Sequence, residues 1–151
     1  MNCQLMMTAS PRSLRGTDTV RTAIAALMQE KVSALPVVDA QDRYLGVISV
    51  RGLIGLALPR IARSNSTMQD LAFLHESLPD IRRRLGENAD QPLAKLLDAE
   101  APTAELDSSL IEAMLHFYRG HSLVPVIDAE TRKVLGVISR TDALRTLAEG
   151  L

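Results

Sequence analysis

The sequence predicts an α/β fold made of two copies of a helix–strand–strand–helix unit, packed about a shared pseudo-twofold axis and joined by a helical connection. Three observations carry this. A stretch Ser33-Ala34-Leu35-Pro36-Val37-Val38-Asp39, a polar turn and Leu45-Gly46-Val47-Ile48-Ser49 recurs as Ser122-Leu123-Val124-Pro125-Val126-Ile127-Asp128 and Leu135-Gly136-Val137-Ile138-Ser139. The spacing is nearly constant: Pro36 and Pro125 stand 89 positions apart, Gly46 and Gly136 stand 90 apart, and the extra residue falls in the polar turn. Self-similarity at a fixed period marks a repeat architecture. Finally, apolar residues at helical spacing precede each stretch, and short β-branched runs lie within it.

Taken in order, residues 1–16 read as irregular. Thr17-Asp18-Thr19 offers helix N-cap chemistry, and Val20, Ala23, Ile24, Leu27 and Met28 make one apolar stripe ending near Glu30 or Lys31. Ala34 to Val38 is too short and too apolar for a surface helix and predicts a buried strand. Pro36 removes a backbone donor, which places that strand at an edge or marks its start. Gln41-Asp42-Arg43 forms the turn, Tyr44 to Ile48 the return strand, and Ser49 opens a helix from Arg51 to about Leu58. The second half repeats the order. Asp107-Ser108-Ser109 caps a helix with Leu110, Ala113, Met114 and Phe117 on one face; strands Leu123–Asp128 and Val134–Ser139 follow, then a helix from Thr141 to about Glu149. Between the halves, Thr67 and Asp70 predict a short helix with Leu71, Ala72 and Leu74, and Ser77-x-Pro79-Asp80 predicts another through Ile81 and Leu85. The division is therefore a first repeat at 1–59, a helical linker at 60–92 and a second repeat at 93–151.

Composition narrows the function classes. Apolar residues at 46% and charged residues at 23% are ordinary for a globular chain. A net charge of −1 and 3% aromatics argue against a nucleic-acid surface. No apolar run approaches the roughly 20 residues needed for membrane insertion. The opening residues MNCQLMMTASPR lack the apolar core of a secretory signal, and the single cysteine, Cys3, fits a reducing compartment, so a cytoplasmic location is expected.

The order helix, S-x-L-P-V-V-D, turn, L-G-V-I-S-x-x-D, helix resembles the CBS domain, and its double occurrence resembles a CBS pair, from the Met7-Thr8 dipeptide to about Leu147. The resemblance implies two small sheets side by side, flanked by helices. It also implies a homodimer, adenosine compounds bound in clefts between the repeats, and a sensor that regulates an attached or associated protein, such as an enzyme or transporter. No catalytic chemistry and no required cofactor are expected.

The residues bear on such a cleft directly. In Gly136-Val137-Ile138-Ser139-Arg140-Thr141-Asp142 a strand ends and a helix begins, so free N–H groups and partial positive charge face a phosphate. Ser139 and Thr141 supply hydroxyl donors, and the Asp142 carboxylate accepts from ribose hydroxyls. The bland alternative is that Thr141 and Asp142 only cap the last helix. The family pattern, carried over by position, adds Asp18, Ala23, Ser33 and Ala34 from the first repeat. In the sister cleft Arg51 and Gly52 replace Thr141 and Asp142, so the ribose acceptor is missing. That cleft is expected to be empty, or to hold an anion through Ser49, Arg51 and Ser122 beside Leu123. The residues two before each proline, Ala34 and Leu123, are neutral, which favours AMP-like or neutral adenosyl ligands over ATP, with AMP, ADP, ATP and S-adenosylmethionine as the possible regulatory ligands. The competing reading is an oligomerisation or interaction scaffold that binds no nucleotide.

Other signals have ordinary readings. Arg82-Arg83-Arg84 reads as a solvated helix face. His116 and His121 lack a completing ligand set for a metal, and the methionines read as core filler. Neither G-x-S-x-G nor G-x-x-x-x-G-K-[ST] occurs, so the sequence gives no support for an enzyme.

Overall fold

The computed structural model describes residues 3–9, 11–63, 67–69, 71 and 74–151. Helix α1 (Val20–Glu30) begins at Thr19, whose side chain accepts from the Thr22 N–H, and ends at Lys31 in the left-handed region at φ 54°. Strands β3 (Ala34–Val38) and β4 (Tyr44–Ser49) form an antiparallel hairpin, and α2 (Val50–Ala57) follows from the Ser49 cap. The second half matches it with α4 (Leu110–Tyr118), β5 (Leu123–Ile127), β6 (Val134–Ser139) and α5 (Arg140–Leu147). These elements fall where the sequence places them, within a residue or two at each end.

The region expected to be irregular holds two short strands, β1 (Thr8–Ala9) and β2 (Leu14–Arg15). They join different sheets. β1 pairs antiparallel with β6, giving the order β1-β6-β5, whereas β2 pairs parallel with β3, giving β2-β3-β4. The segment after the linker does the converse: Asp98 bridges Val47 of the first half, and Ala104 bridges Val126 of the second. The second half thus receives a strand from the first half's leading segment, and the first half receives a single bridge from the second's. Glycine follows from this crossing. A Cβ on Gly136 would strike the Met7 side chain and lie 2.7 Å from the Thr8 carbonyl oxygen; one on Gly46 would lie 3.0 Å from the Asp98 carbonyl oxygen.

Pro36 is not at an edge, since β3 lies between β2 and β4. The β2 register reaches only Val37 and Val38, so the missing donor has no partner to lose. In the second half the outward side is visible: the Ala104 N–H donates to the Pro125 carbonyl, and the Ile127 N–H donates back to Ala104. The proline therefore turns its nitrogen away from the hairpin partner.

Two cores result, and neither is contiguous in sequence. The first packs Val20, Ala23, Leu27, Val37 and Ile48 with Leu93; the second packs Ala113, Val124, Val126 and Ile138 with Cys3 and Met6. A third cluster, Ala34, Val47 and Leu123 with Tyr44 and Val137, joins the two sheets. Met28 and Met68 are 74% and 87% exposed, so those two methionines are not core filler; Ala26 takes the buried place on α1.

In the linker, α3 (Leu78–Glu87) carries the expected capping box between Ser77 and Asp80. The first expected linker helix is replaced, among the described residues, by turns in which Leu71 donates to Met68 and Leu74 to Leu71. Asp70 and Ala72 of that expectation lie outside the described residues. Arg84 does not face solvent. It donates to the Ala57 carbonyl at 2.7 Å and pairs with Glu76, tying α3 to the end of α2.

Candidate functional site

A concavity between the two halves follows from how the second hairpin ends. Ser139 is extended and caps α5, so β6 turns directly into a helix whose first N–H groups point outward beside Arg140 and Thr141. Against this turn lie the end of α1 and the start of β3, with Lys31, Ser33 and Ala34, and the N-terminal segment with Thr8 and Arg12. The start of β5, Ser122 and Leu123, completes the wall. The cleft holds about 460 Å³, within the usual range for small-molecule sites.

Asp142 is the cleft's organising carboxylate. It accepts from the Ser139 N–H at 3.2 Å while its own N–H donates to Ser139 Oγ at 3.0 Å, forming a capping box. Arg145 donates to the other carboxylate oxygen at 2.8 Å, and the Thr8 hydroxyl lies at 3.5 Å. Burial pushes the Asp142 carboxyl up, but the hydrogen bonds from Ser139 and Arg145 outweigh it and hold the group below its ordinary range. An ionised carboxylate has about four acceptor directions, so acceptor capacity remains for a ligand hydroxyl. Arg12 is engaged by Gln29 and Glu30 at 3.2 and 3.1 Å. Lys31 and Arg140 make no ion pair among the described residues, and both line the cleft.

Six of the eight residues expected for this site come together here: Ser33, Ala34, Ser139, Arg140, Thr141 and Asp142. Asp18 and Ala23 do not. Ala23 is fully buried in the first core, and the Asp18 carboxylate accepts from the Arg15 N–H at 2.7 Å. The reason is length: at about 1.5 Å per residue an 11-residue helix spans roughly 16 Å, and the cleft meets the opposite end of α1. Ser122 and Leu123, expected in the sister cleft, line this one, because β3 and β5 lie side by side at the junction of the sheets. Ser49 and Arg51 stand apart from it, Ser49 capping α2 through the Gly52 N–H at 3.0 Å and Arg51 exposed. Thr8, Arg12, Lys31 and Arg145 also line the cleft and were not anticipated as site residues; three of them are cations. Only the Asp142–Arg145 spacing on one helix could have signalled any of them.

The equivalent corner of the first half is differently furnished. Asp98 bridges Val47 as Thr8 pairs with Val137, and Gly52 stands where Asp142 stands. Nearby, the Tyr44 hydroxyl is buried without a hydrogen-bond partner among the described residues. Burial, with Asp98 adding to it, pushes its pKa up to about 12.

No helix among the described residues is long and apolar enough to cross a membrane, and those residues contain no group of three or more potential metal ligands. The family model for the CBS domain matches residues 4–58 and 93–149. Among solved structures, the chain is similar to CBSX2 of Arabidopsis thaliana in complex with AMP, at 19% identity and a TM-score of 0.70, covering 97% of this chain and 95% of that one. It is also similar to the CBS domain pair of protein MJ0100 in complex with 5′-methylthioadenosine and S-adenosyl-L-methionine, at 17% identity and a TM-score of 0.67, covering 98% and 100%. Protein MJ1004 of Methanocaldococcus jannaschii matches at 20% identity and a TM-score of 0.68 over 98% of this chain, which spans 60% of the length of that protein.

Proposed function

Because the chain belongs to the CBS-domain family, we propose that it is a regulatory, non-catalytic module that senses an adenosine-containing ligand in the cleft between its repeats. The observation that carries this reading is the cleft itself, where Ser33 and Ala34 of one half face Ser139 to Asp142 of the other. The ligand's phosphate sits at the α5 N-terminus, met by Ser139 and Thr141, and its ribose hydroxyls donate to Asp142. Lys31 and Arg140, the cleft-lining cations with no ion pair among the described residues, match the charge of a single phosphate monoester, about −1.5 to −2. AMP is therefore favoured over ATP. The ligands that CBSX2 and MJ0100 carry belong to the same chemical class.

A molecule that touches both repeats shifts their relative arrangement by its differential affinity for the two states, and no further. The readout passes through assembly. The α4 residues Ile111 and Tyr118 are 65% and 90% exposed, and the α5 residues Leu144 and Leu147 are 67% and 57% exposed. These helical stripes fit burial against a second copy, so the working unit is a homodimer in a reducing, cytoplasmic setting. The same stripes favour the second reading, a scaffold that assembles without nucleotide.

A thermal-shift panel of AMP, ADP, ATP, S-adenosylmethionine and NAD separates the two. Ligand at a hundred times its dissociation constant adds about 2.7 kcal/mol and should raise the midpoint by roughly 5–10 °C. The expected outcome is a shift with AMP that Thr141→Ala reduces and Asp142→Ala removes. A dimer that responds to none of the five would leave the scaffold standing.

A further inference from the structure

The connection between the repeats builds a second concavity with a different chemistry. It holds about 310 Å³ between the end of α2, the turn after it and α3, with Pro59, Arg60, Arg63, Arg84, Glu87 and Asn88 in its wall. Arg60–Arg63 is a 3₁₀ turn, and in such a turn residues three apart eclipse, so both guanidinium groups leave the backbone on one side. Arg84 is already engaged by the Ala57 carbonyl and Glu76 and serves as a fixed wall. The Asn88 amide is likewise used, donating to the Arg84 carbonyl at 3.0 Å and accepting from Gln91 at 2.9 Å. Arg60 and Arg63 are exposed and pair with no acid among the described residues; Glu87 is the one carboxylate in the wall. The second half has no counterpart, since Gly150 stands 90 positions after Arg60.

We propose that this pocket binds a compact phosphate-bearing anion, gripped by the Arg60 and Arg63 guanidinium groups. Two planar forks present paired N–H donors that match phosphate oxygens, and their two positive charges, offset in part by Glu87, leave the wall positive toward an anion. The site is separate from the adenosine cleft and does not depend on it. An anion there joins the α2 end to the linker helix, which gives the connection a signal of its own.

The test is a nitrogen-15 NMR titration with inorganic phosphate against sodium chloride at matched ionic strength. The amide resonances of Ala57, Leu58 and Ile61 to Arg63 should move saturably with phosphate and not with chloride. Arg60→Gln/Arg63→Gln, both at exposed positions, should weaken that binding by at least about tenfold. Arg82→Gln/Arg119→Gln removes the same charge elsewhere and should leave it unchanged. Shifts that only track ionic strength, or that saturate equally in the Arg60/Arg63 variant, overturn the site. Vesicles containing phosphatidylglycerol separate the sources. Vesicle binding that competes with phosphate points to a lipid headgroup, saturation without vesicle binding points to a free phosphate compound, and vesicle binding without saturation overturns the proposal.

Discussion

At the start of α5 the chain reads Ser139-Arg140-Thr141-Asp142, and at the start of α2 it reads Ser49-Val50-Arg51-Gly52. Both serines cap their helix in the same way, each accepting from the third following N–H at 3.0 Å. Only the second helix has the reciprocal carboxylate, and only there does the leading strand bring a hydroxyl, Thr8, where the other crossing brings Asp98. The backbone is thus held constant while the two corners diverge in charge. What repeats is the packing, which both cores require; what differs is the set of groups that can meet a ligand. A duplicated fold can therefore keep one site and give up the other at little cost in stability.

The crossings themselves should separate the halves most strongly. A methyl group at Gly136 meets a backbone carbonyl oxygen, which cannot move without shifting β1, whereas at Gly46 the nearest atoms lie at 3.0 and 3.1 Å. Overpacking of this kind costs typically 1–3 kcal/mol. Gly136→Ala should lose about 3 kcal/mol, lowering the thermal midpoint by roughly 6–12 °C, and Gly46→Ala about 1 kcal/mol. Equal midpoints for the two variants would mean that the N-terminal strand contributes no more than the Asp98 bridge.

A smaller effect, of opposite sign in the two halves, is expected at the helix starts. Asp142→Ala removes half of a capping box and should cost about 1 kcal/mol. Gly52→Asp supplies the missing half to Ser49 and takes a glycine out of a helix, so it should gain roughly 0.5 kcal/mol. Its Cβ would stand 3.3 Å from Ser49 Oγ, a contact the hydroxyl can relieve by a small rotation. Denaturant unfolding of the two proteins measures both. Destabilisation by Gly52→Asp would show that the first corner is shaped against a carboxylate, not merely without one.

The helices, hairpins and repeat were legible because each rests on a local signal: a cap such as Ser109, a period such as that of Leu110, Ala113 and Phe117, or a β-branched run. The exchange of leading strands was not legible. β1 and β2 have two residues each, too few to show a period, and their pairing is set by partners more than a hundred and about twenty positions away. The matched positions of Gly46 and Gly136 in the two repeats were visible, but their cause, backbone crossing over from the other half, exists only in three dimensions. The site divides in the same way. Ser139 to Asp142 were readable as a strand-to-helix corner, whereas Arg12 and Lys31 reach the cleft only through the packing of α1 and the N-terminal segment. Asp18 and Ala23 do not line the cleft because a position carried over from a pattern says nothing about which end of a helix reaches it.

Acid should reveal the least of these differences. The Asp39 carboxylate is held below its ordinary 3.8 by the Arg43 and Gln41 N–H groups, and Asp128 by those of Thr131 and Glu130, so each hairpin turn has one such group. Asp80 is lowered by the Ser77 bonds at the start of the linker helix α3, and Asp142 is lowered at the start of α5, where burial raises it but the Ser139 and Arg145 bonds outweigh that. A depressed folded pKa means that the unfolded chain binds the proton first. The stabilisation is then complete above the ordinary value and is lost as the pH falls through the folded one. Below about pH 4 the start of α5, whose cap includes the Asp142 charge, should weaken before the start of α2, which has no carboxylate in its first turn. Amide-exchange protection in α2 and α5, compared at pH 5 and at pH 3, measures this directly. Protection should fall more in α5 than in α2, and Asp142→Asn should abolish the difference. A parallel loss in the two helices would place the acid response in the shared hairpin turns and leave the Asp142 cap without a part in it.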